Sequence, residues 1–370
     1  MKICFFISTI SGKGGTERVT SLIANQLAAL GYKITVLSLW DGHNPSFSLD
    51  PSIKTSQIFR ERVNFSRNYL TGILRLRAFV RNNGFDTLIV SDSILALFSV
   101  PALYRSSLKH IVWEHFNYKA DYGLSRRRFA RTLASQYADI VVTLTRADAD
   151  LWESKNPKAK VVTINNPSPY PVLCERTWDN KIALAVGRLT YQKGFDQLVE
   201  CWTPVAEQYP DWQLWILGDG EDKEALEKQI FRNGLSGIVK IFPFTAEIDK
   251  YLKAASIFCL SSRFEGLGMV LIEAQSFGLP AVAFDCEVGP AEIIRHGETG
   301  FLVETFNRDD FSEKLMILIN DKELREEQGK AALEAAQAFQ PEHIVPKWLE
   351  ILGEPVPVEE KKNEDTPYHQ

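Results

Sequence analysis

Two carboxylates and two glycines share one short run, Phe264 to Phe277, which reads F-E-G-L-G-M-V-L-I-E-A-Q-S-F. Ser261, Ser262, Gly266 and Gly268 leave its first part free to bend. From Met269 the residues are strong helix formers with little polarity, so the pattern predicts a buried helix. A glycine-rich entry into such a helix turns unpaired backbone N–H groups toward a cleft, and the helix dipole adds positive potential there. That suits a phosphate. Glu265 lies in the loop and Glu273 about one turn into the helix. A carboxylate among apolar neighbours needs a polar partner or a ligand, because burying it unpaired is costly. The run reads as a phosphate pocket with two hydroxyl-binding acids, or else as a capped core helix with one paired glutamate.

Further residues extend the first reading. Arg188 and Lys193 stand five apart in a loop bounded by Gly187 and Gly194. They can clamp a diphosphate, arginine bidentately and lysine as a point charge, while Glu273 accepts both hydroxyls of a ribose. In the first half, Ser11 to Arg18 reads S-G-K-G-G-T-E-R. It is neither G-x-G-x-x-G nor a P-loop, but it sits where ligands meet open α/β sheets. His115 directly follows a strand over 111–114, which makes it a candidate active-site residue or a structural histidine. Asp148-Ala149-Asp150 looks like a metal-binding D-x-D, but it lies near a helix start, where acids favour the dipole and face water.

The elements that must position these residues alternate strand and helix through the chain. Strands are predicted over 2–10, 34–39, 87–90, 111–114, 139–145 and 161–164. After a proline-rich linker (Pro167, Pro169, Pro171) the pattern restarts, with strands over 182–186, 212–217, 239–242, 257–260, 280–284 and 300–303. Pro204 should kink or end the helix that contains it. Two doubly wound α/β domains follow from this order, 1–170 and 171–340, with a last helix over 341–353 and an acidic, disordered tail over 354–370.

Charge divides the same way. Residues 1–168 hold 22 Lys and Arg against 12 Asp and Glu, a net of +10; the remainder holds 20 against 35, a net of −15. The basic half favours a polyanionic partner such as an anionic membrane surface. Its arginines gather in an amphipathic stretch containing Arg75 and Arg77 and in a second cluster containing Arg127. A solvated helix face is the alternative. The acidic second half and the lack of any recognised motif argue against nucleic acid. Five scattered cysteines, among them Cys174, read as reduced thiols. With no secretory signal and no run long enough to span a bilayer, a cytoplasmic protein is expected.

In this order, Gly14-Gly15 with Glu17, Glu114-His115, Gly187-Arg188-Leu189 with Lys193, Gly218-Asp219-Gly220-Glu221, the E-G-L-G-M-V-L-I-E run and Gly289-Pro290 with Glu292 resemble the retaining, family-four glycosyltransferases of the GT-B fold. Bacterial enzymes that build lipopolysaccharide, O-antigen or capsule on lipid carriers look most similar. The resemblance implies two Rossmann-like domains facing a cleft, with the final helix crossing back to the first. It also implies a UDP-sugar donor, a lipid-linked acceptor and no metal. Arg188, Lys193 and the backbone of Gly266, Gly268, Met269 and Val270 would hold the diphosphate, and Glu273 the ribose. Phe244 would lie near the base. Glu265 and His115 would meet the sugar, and Gly15 would approach donor or acceptor. Arg75, Arg77 and Arg127 would serve acceptor or membrane. The resemblance suggests peripheral attachment to the inner face of the plasma membrane. A nucleotide-sugar 2-epimerase on the same fold, or a non-catalytic binder, remain as alternatives.

Overall fold

The computed structural model describes residues 1–120, 125–173 and 175–353. The predicted tail and Cys174 lie outside the described residues. The first domain runs β1 (Lys2–Ile7), α1 (Gly15–Ala29), β2 (Lys33–Ser38), β3 (Lys54–Gln57), α2 (Phe65–Asn83), β4 (Thr87–Ser91), α3 (Ala96–Ala102) and β5 (Lys109–Trp113). It continues with α4 (Ser125–Tyr137), β6 (Ile140–Thr143), α5 (Arg146–Glu153) and β7 (Lys160–Thr163). The second runs β8 (Ile182–Val186), α6 (Phe195–Gln208), β9 (Gln213–Leu217), α7 (Lys223–Arg232), β10 (Val239–Phe242), α8 (Ile248–Ala254) and β11 (Ile257–Leu260). Then come α9 (Met269–Ser276), β12 (Ala281–Asp285), α10 (Pro290–Ile293), β13 (Gly300–Glu304), α11 (Arg308–Asn320), α12 (Lys322–Ala336) and α13 (Pro341–Leu352).

Among the described residues the strands form two sheets, ordered β3-β2-β1-β4-β5-β6-β7 and β10-β9-β8-β11-β12-β13. All strand pairs are parallel. Helices cover both faces of such sheets, so the central strands need no polar side: β1 and β4 are buried almost throughout. Each order reverses once, beside β1 and beside β8, and a ligand crevice opens at the carboxyl ends of the strands there. This is the GT-B layout that the resemblance implies. The edge strand β3 and the short helix α3 were not foreseen; β3 is only half-buried and shows no alternation of buried and exposed residues.

Helix α6 runs through Pro204 to Gln208, so the proline does not end it. Its apolar face, with Trp202, Val205 and Ala206 buried on either side of the proline, holds the last turn against the core. The proline-rich linker between the sheets is anchored along its length. Ser168 donates its N–H to the Phe339 carbonyl at 2.7 Å and shares a hydroxyl hydrogen bond with Ser276 at 2.8 Å. Tyr170 packs edge-on against Phe277.

Proline at its first turn starts α13, and Gly353, at φ +88°, ends it. The helix returns to the first domain, where the fully buried Trp348 meets Trp113 edge-on with ring centroids 4.7 Å apart. One continuous apolar core thereby joins residues of both sheets. Trp348→Ala should lower stability by about 3–5 kcal/mol, the usual loss for a large aromatic cut from a core. Urea denaturation checks this; a change under about 1 kcal/mol would mean that α13 is not a structural tie.

Candidate active site

Helix α9 begins at Gly268, whose φ of +89° suits a residue without a Cβ. The first N–H groups beyond it, those of Met269 and Val270, precede any intrahelical partner. The loop ahead of it carries Glu265, 7% exposed. Its Oε1 accepts from Lys193 Nζ at 2.6 Å and from Ser262 Oγ at 2.6 Å. A Cβ at Gly187 would lie 3.2 Å from the Lys193 methylenes, so glycine there lets the lysine stem cross the loop. Gly194, at φ +63°, backs directly onto the Ser261 carbonyl. Arg188 is exposed beside this group. The two predicted cations thus share a loop, but Lys193 reaches the acid rather than standing apart from it.

Glu273 is 4% exposed and burial raises its pKa above the usual carboxylate range. Two positive charges oppose that shift, Lys193 and, unforeseen, Arg18 of α1, whose guanidinium donates to Glu273 Oε1 at 2.9 Å. The partners are 255 residues apart and in different domains. The loop 11–18 is shaped around another acid, Glu17, to which the backbone N–H groups of Gly14 and Glu17 donate. Burial raises the Glu17 pKa, while Arg188 lies near enough to draw it down. Gly15 opens α1 with nothing crowding its missing Cβ.

The loops after β8, β9 and β10 lock together through backbone. A Cβ on Gly218 or Gly220 would strike the carbonyls of Gly187 and Leu189. Asp219 Oδ2 accepts the Phe244 N–H at 2.8 Å, which holds that ring, 45% exposed, above the same group of loops.

His115 comes from the other domain. Gly266 is pressed against its carbonyl oxygen, so any side chain at 266 would drive the two loops apart. The ring is buried beside Trp113, and burial pushes its pKa down to about 3. It is therefore neutral near pH 7, and its Nε2 is buried with no hydrogen-bond partner among the described residues. Buried polar atoms of this kind are uncommon and often mark a ligand position. Glu114 fixes the backbone: its Oε1 accepts the N–H groups of His115 and Phe116, each at 3.1 Å. Its Oε2 accepts from Ser93 Oγ at 2.5 Å and from Arg131 Nε at 2.9 Å. Arg131, wholly buried, also donates to the carbonyls of Asn117, Tyr118 and Ala120.

This network corrects two expectations. Arg127 is not a surface contact for acceptor or membrane. It is 7% exposed and bidentate on Asp92, at 2.8 and 3.1 Å, because a buried carboxylate draws in the nearest guanidinium. Asp148 does not face water: it is buried and accepts the Tyr118 N–H at 2.7 Å, while Asp150 pairs with Arg146 at 2.9 Å on the exposed side of α5. The two acids of the D-x-D serve different neighbours. Arg75 and Arg77 lie outside the cleft, donating to the carbonyls of Ile58 and Tyr104. Glu292 accepts the N–H groups of Arg146 and Ala147 at the start of α5, and Lys119 pairs with Glu287 across the same boundary. A polar residue at 18 facing a helix acid could have hinted at the Arg18 pair, but no local spacing marks it.

Comparison with known proteins identifies the family of the chain. The family model for glycosyl transferases group 1 matches residues 176–335, and that for glycosyltransferase family 4 matches residues 13–168. An uncharacterized glycosyltransferase of Haemophilus influenzae is 36% identical over 352 residues, covering 95% of this chain and 99% of its own. The amylovoran biosynthesis glycosyltransferase AmsD of Erwinia amylovora is 31% identical over 362 residues, covering 95% and 99%. Among solved structures, Anabaena HepE in complex with UDP superposes with a TM-score of 0.80 at 20% identity, covering 95% of this chain and all (100%) of its own.

The buried Asp148 gives a pH test of the network. Burial raises its pKa to about 7. The folded protein therefore holds a proton that the unfolded chain has already lost, and stability falls as pH rises from about 4 to about 7. Asp148→Asn lacks this titration. Its stability relative to wild type should improve by about 2 kcal/mol between pH 5 and pH 8 in urea unfolding. A pH-independent difference would show that Asp148 is ionised throughout.

Proposed function

The chain is a glycosyltransferase of the group 1 and family 4 kind, and on that premise we propose that it transfers a hexose or N-acetylhexosamine from a UDP-sugar to a lipid-linked glycan acceptor, with retention at the anomeric carbon and without a metal, in surface-polysaccharide assembly. The observation that carries this reading is the pairing at the head of α9: two buried acids, each tied to a cation, opposite a neutral His115.

Each group has a task suited to its chemistry. The diphosphate lies between Arg188, Lys193 and the first N–H groups of α9, which answer the charge that develops as the sugar departs. Lysine has three donors, so Lys193 keeps its bond to Glu265 while reaching a phosphate oxygen. Glu273 accepts the ribose hydroxyls, and Phe244 lies at the base. Glu265 and the orphan Nε2 of His115 meet sugar hydroxyls, and a neutral imidazole can either accept or donate there. Gly15 leaves open space beside the donor. Among the described residues no carboxylate is singled out as a covalent nucleophile, and front-face attack by the acceptor hydroxyl accounts for retention. UDP as the nucleotide is supported by the nucleotide held in HepE, and a polysaccharide product by the name of AmsD.

The lipid-linked acceptor brings the protein to an anionic bilayer. Helices α2, α3 and α4 contain no Asp or Glu. They and their connections expose Leu70, Leu74, Tyr104, Phe129 and Tyr137, each more than half accessible. A groove of about 810 Å³ runs between them, with Arg77 on its wall. Apolar and arginine side chains on helices that carry no acid suit an interfacial contact, with Asp139 also on the groove wall. No helix among the described residues is long and apolar enough to cross a membrane.

Purified protein with EDTA should release UDP from one UDP-sugar in a panel of UDP-, GDP- and ADP-sugars, faster when a lipid-diphosphate sugar is added. Dependence on a divalent ion, or release only from another nucleotide, would overturn those parts of the reading. Conversion of the donor sugar without acceptor would favour an epimerase. Separately, Leu70→Ser with Leu74→Ser should reduce co-sedimentation with phosphatidylglycerol vesicles at least roughly tenfold, since two apolar side chains leave the interface. Equal binding by both proteins would remove this face as the bilayer contact.

A further inference from the structure

Arg18 has no role in the assignments above, yet it touches their most demanding residue. Its guanidinium approaches Glu273 Oε1 at 2.9 Å, with side-chain exposures of 20% and 5%. The cation is fixed between two rings, 5.0 Å from the centre of Tyr170 and 5.9 Å from that of Phe47. Other ties between the domains are of a different kind: Lys119 and Glu287 are about half exposed, at 58% and 51%, and so are held weakly. The pair with Glu273 is enclosed and ends on the carboxylate assigned to the ribose.

We propose that Arg18 is a positioning residue of the donor site, which reaches across from the first domain to keep Glu273 ionised and oriented for the two ribose hydroxyls. This rests on the reading that Glu273 takes the ribose. The geometry permits both partners at once. An ionised carboxylate offers about four lone-pair sites. Arg18 uses one on Oε1, which leaves Oε2 and the second site of Oε1 for a diol. Arginine therefore stays in place when the nucleotide binds, and donor binding and domain approach share one ion pair. The charged and titratable groups around Glu273 are Arg18 from α1, Lys193 from the loop after β8 and the Tyr170 phenol from the linker, with Asp249 of α8 near Tyr170. Burial already favours the protonated acid. Without Arg18, Lys193 alone opposes that tendency, and Lys193 is engaged by Glu265.

The test is UDP binding by the full chain, measured calorimetrically between about pH 6 and pH 8.5, for wild type, Arg18→Gln, Arg18→Lys and Glu273→Gln. Wild type at each pH removes the titration of the nucleotide itself. Arg18→Gln should bind UDP roughly ten- to a hundredfold more weakly near pH 6, with the deficit shrinking as pH rises and Glu273 ionises. Arg18→Lys should lie between it and wild type. Glu273→Gln should be weak and no more pH-dependent than the nucleotide alone. A deficit in Arg18→Gln that is the same at every pH would make Arg18 a mere brace between domains and overturn the proposal. Glu273→Gln binding like wild type would overturn the ribose assignment itself. Loss of binding in Glu273→Gln with none in Arg18→Gln would overturn the role of Arg18 alone. Should Arg18→Gln not fold, the pH profile of Arg18→Lys decides, since a displaced ammonium must leave Glu273 easier to protonate.

Discussion

The structure depends on one constraint: two carboxylates, Glu265 and Glu273, are buried at the head of an apolar helix. Burial favours the neutral acid at Glu273, and leaving either carboxylate buried without a partner would be costly. α9 has no cation of its own to give. Lys193 arrives from the loop after β8, and Arg18 from the other domain. Both carboxylates are thus partnered only when the second domain is wound correctly and the first lies against it. The same requirement gathers positive charge at the head of α9, where the proposed diphosphate would lie.

A second set of contacts works from the opposite wall. Glu114 and Arg131 are fully buried but well satisfied, the carboxylate by two N–H groups, a hydroxyl and a guanidinium. A pair of this kind adds little net stability compared with an apolar core, but breaking it by removing one partner is costly. Its effect is geometric: it fixes the backbone on which His115 stands. Burial then keeps that imidazole neutral. Gly266 lets the two walls meet at backbone distance, which no side chain would permit. Between them the two networks set how closely the domains approach.

The charge asymmetry of the chain takes on a different meaning in three dimensions. Two of the four arginines on α4, Arg127 and Arg131, serve buried acids of their own domain. What remains outside are the acid-free helices α2, α3 and α4, with exposed apolar side chains. The surplus of positive charge in the first half therefore divides into an inner part that builds the cleft wall and an outer part available to a polyanionic surface.

The architecture was legible in the chain itself. Apolar runs of strand length, separated by helical periods and punctuated by glycine, dictate parallel α/β layers whatever the distant residues do, since periodicity and turn chemistry act over a few residues. The E-G-L-G run and the Arg188–Lys193 loop were legible for the same reason: acid, glycine and helix start are neighbours in sequence. Partnership and burial were not. Arg18 meets Glu273 over a separation of 255 residues, Arg127 meets Asp92 inside the domain rather than at its surface, and Asp148 is covered by the loop at Tyr118. Pro204 ends no helix because core packing outweighs its local preference. In each case the deciding quantity is the solvent removed by other elements of the fold. That is a property of assembled surfaces, and no spacing within one segment encodes it.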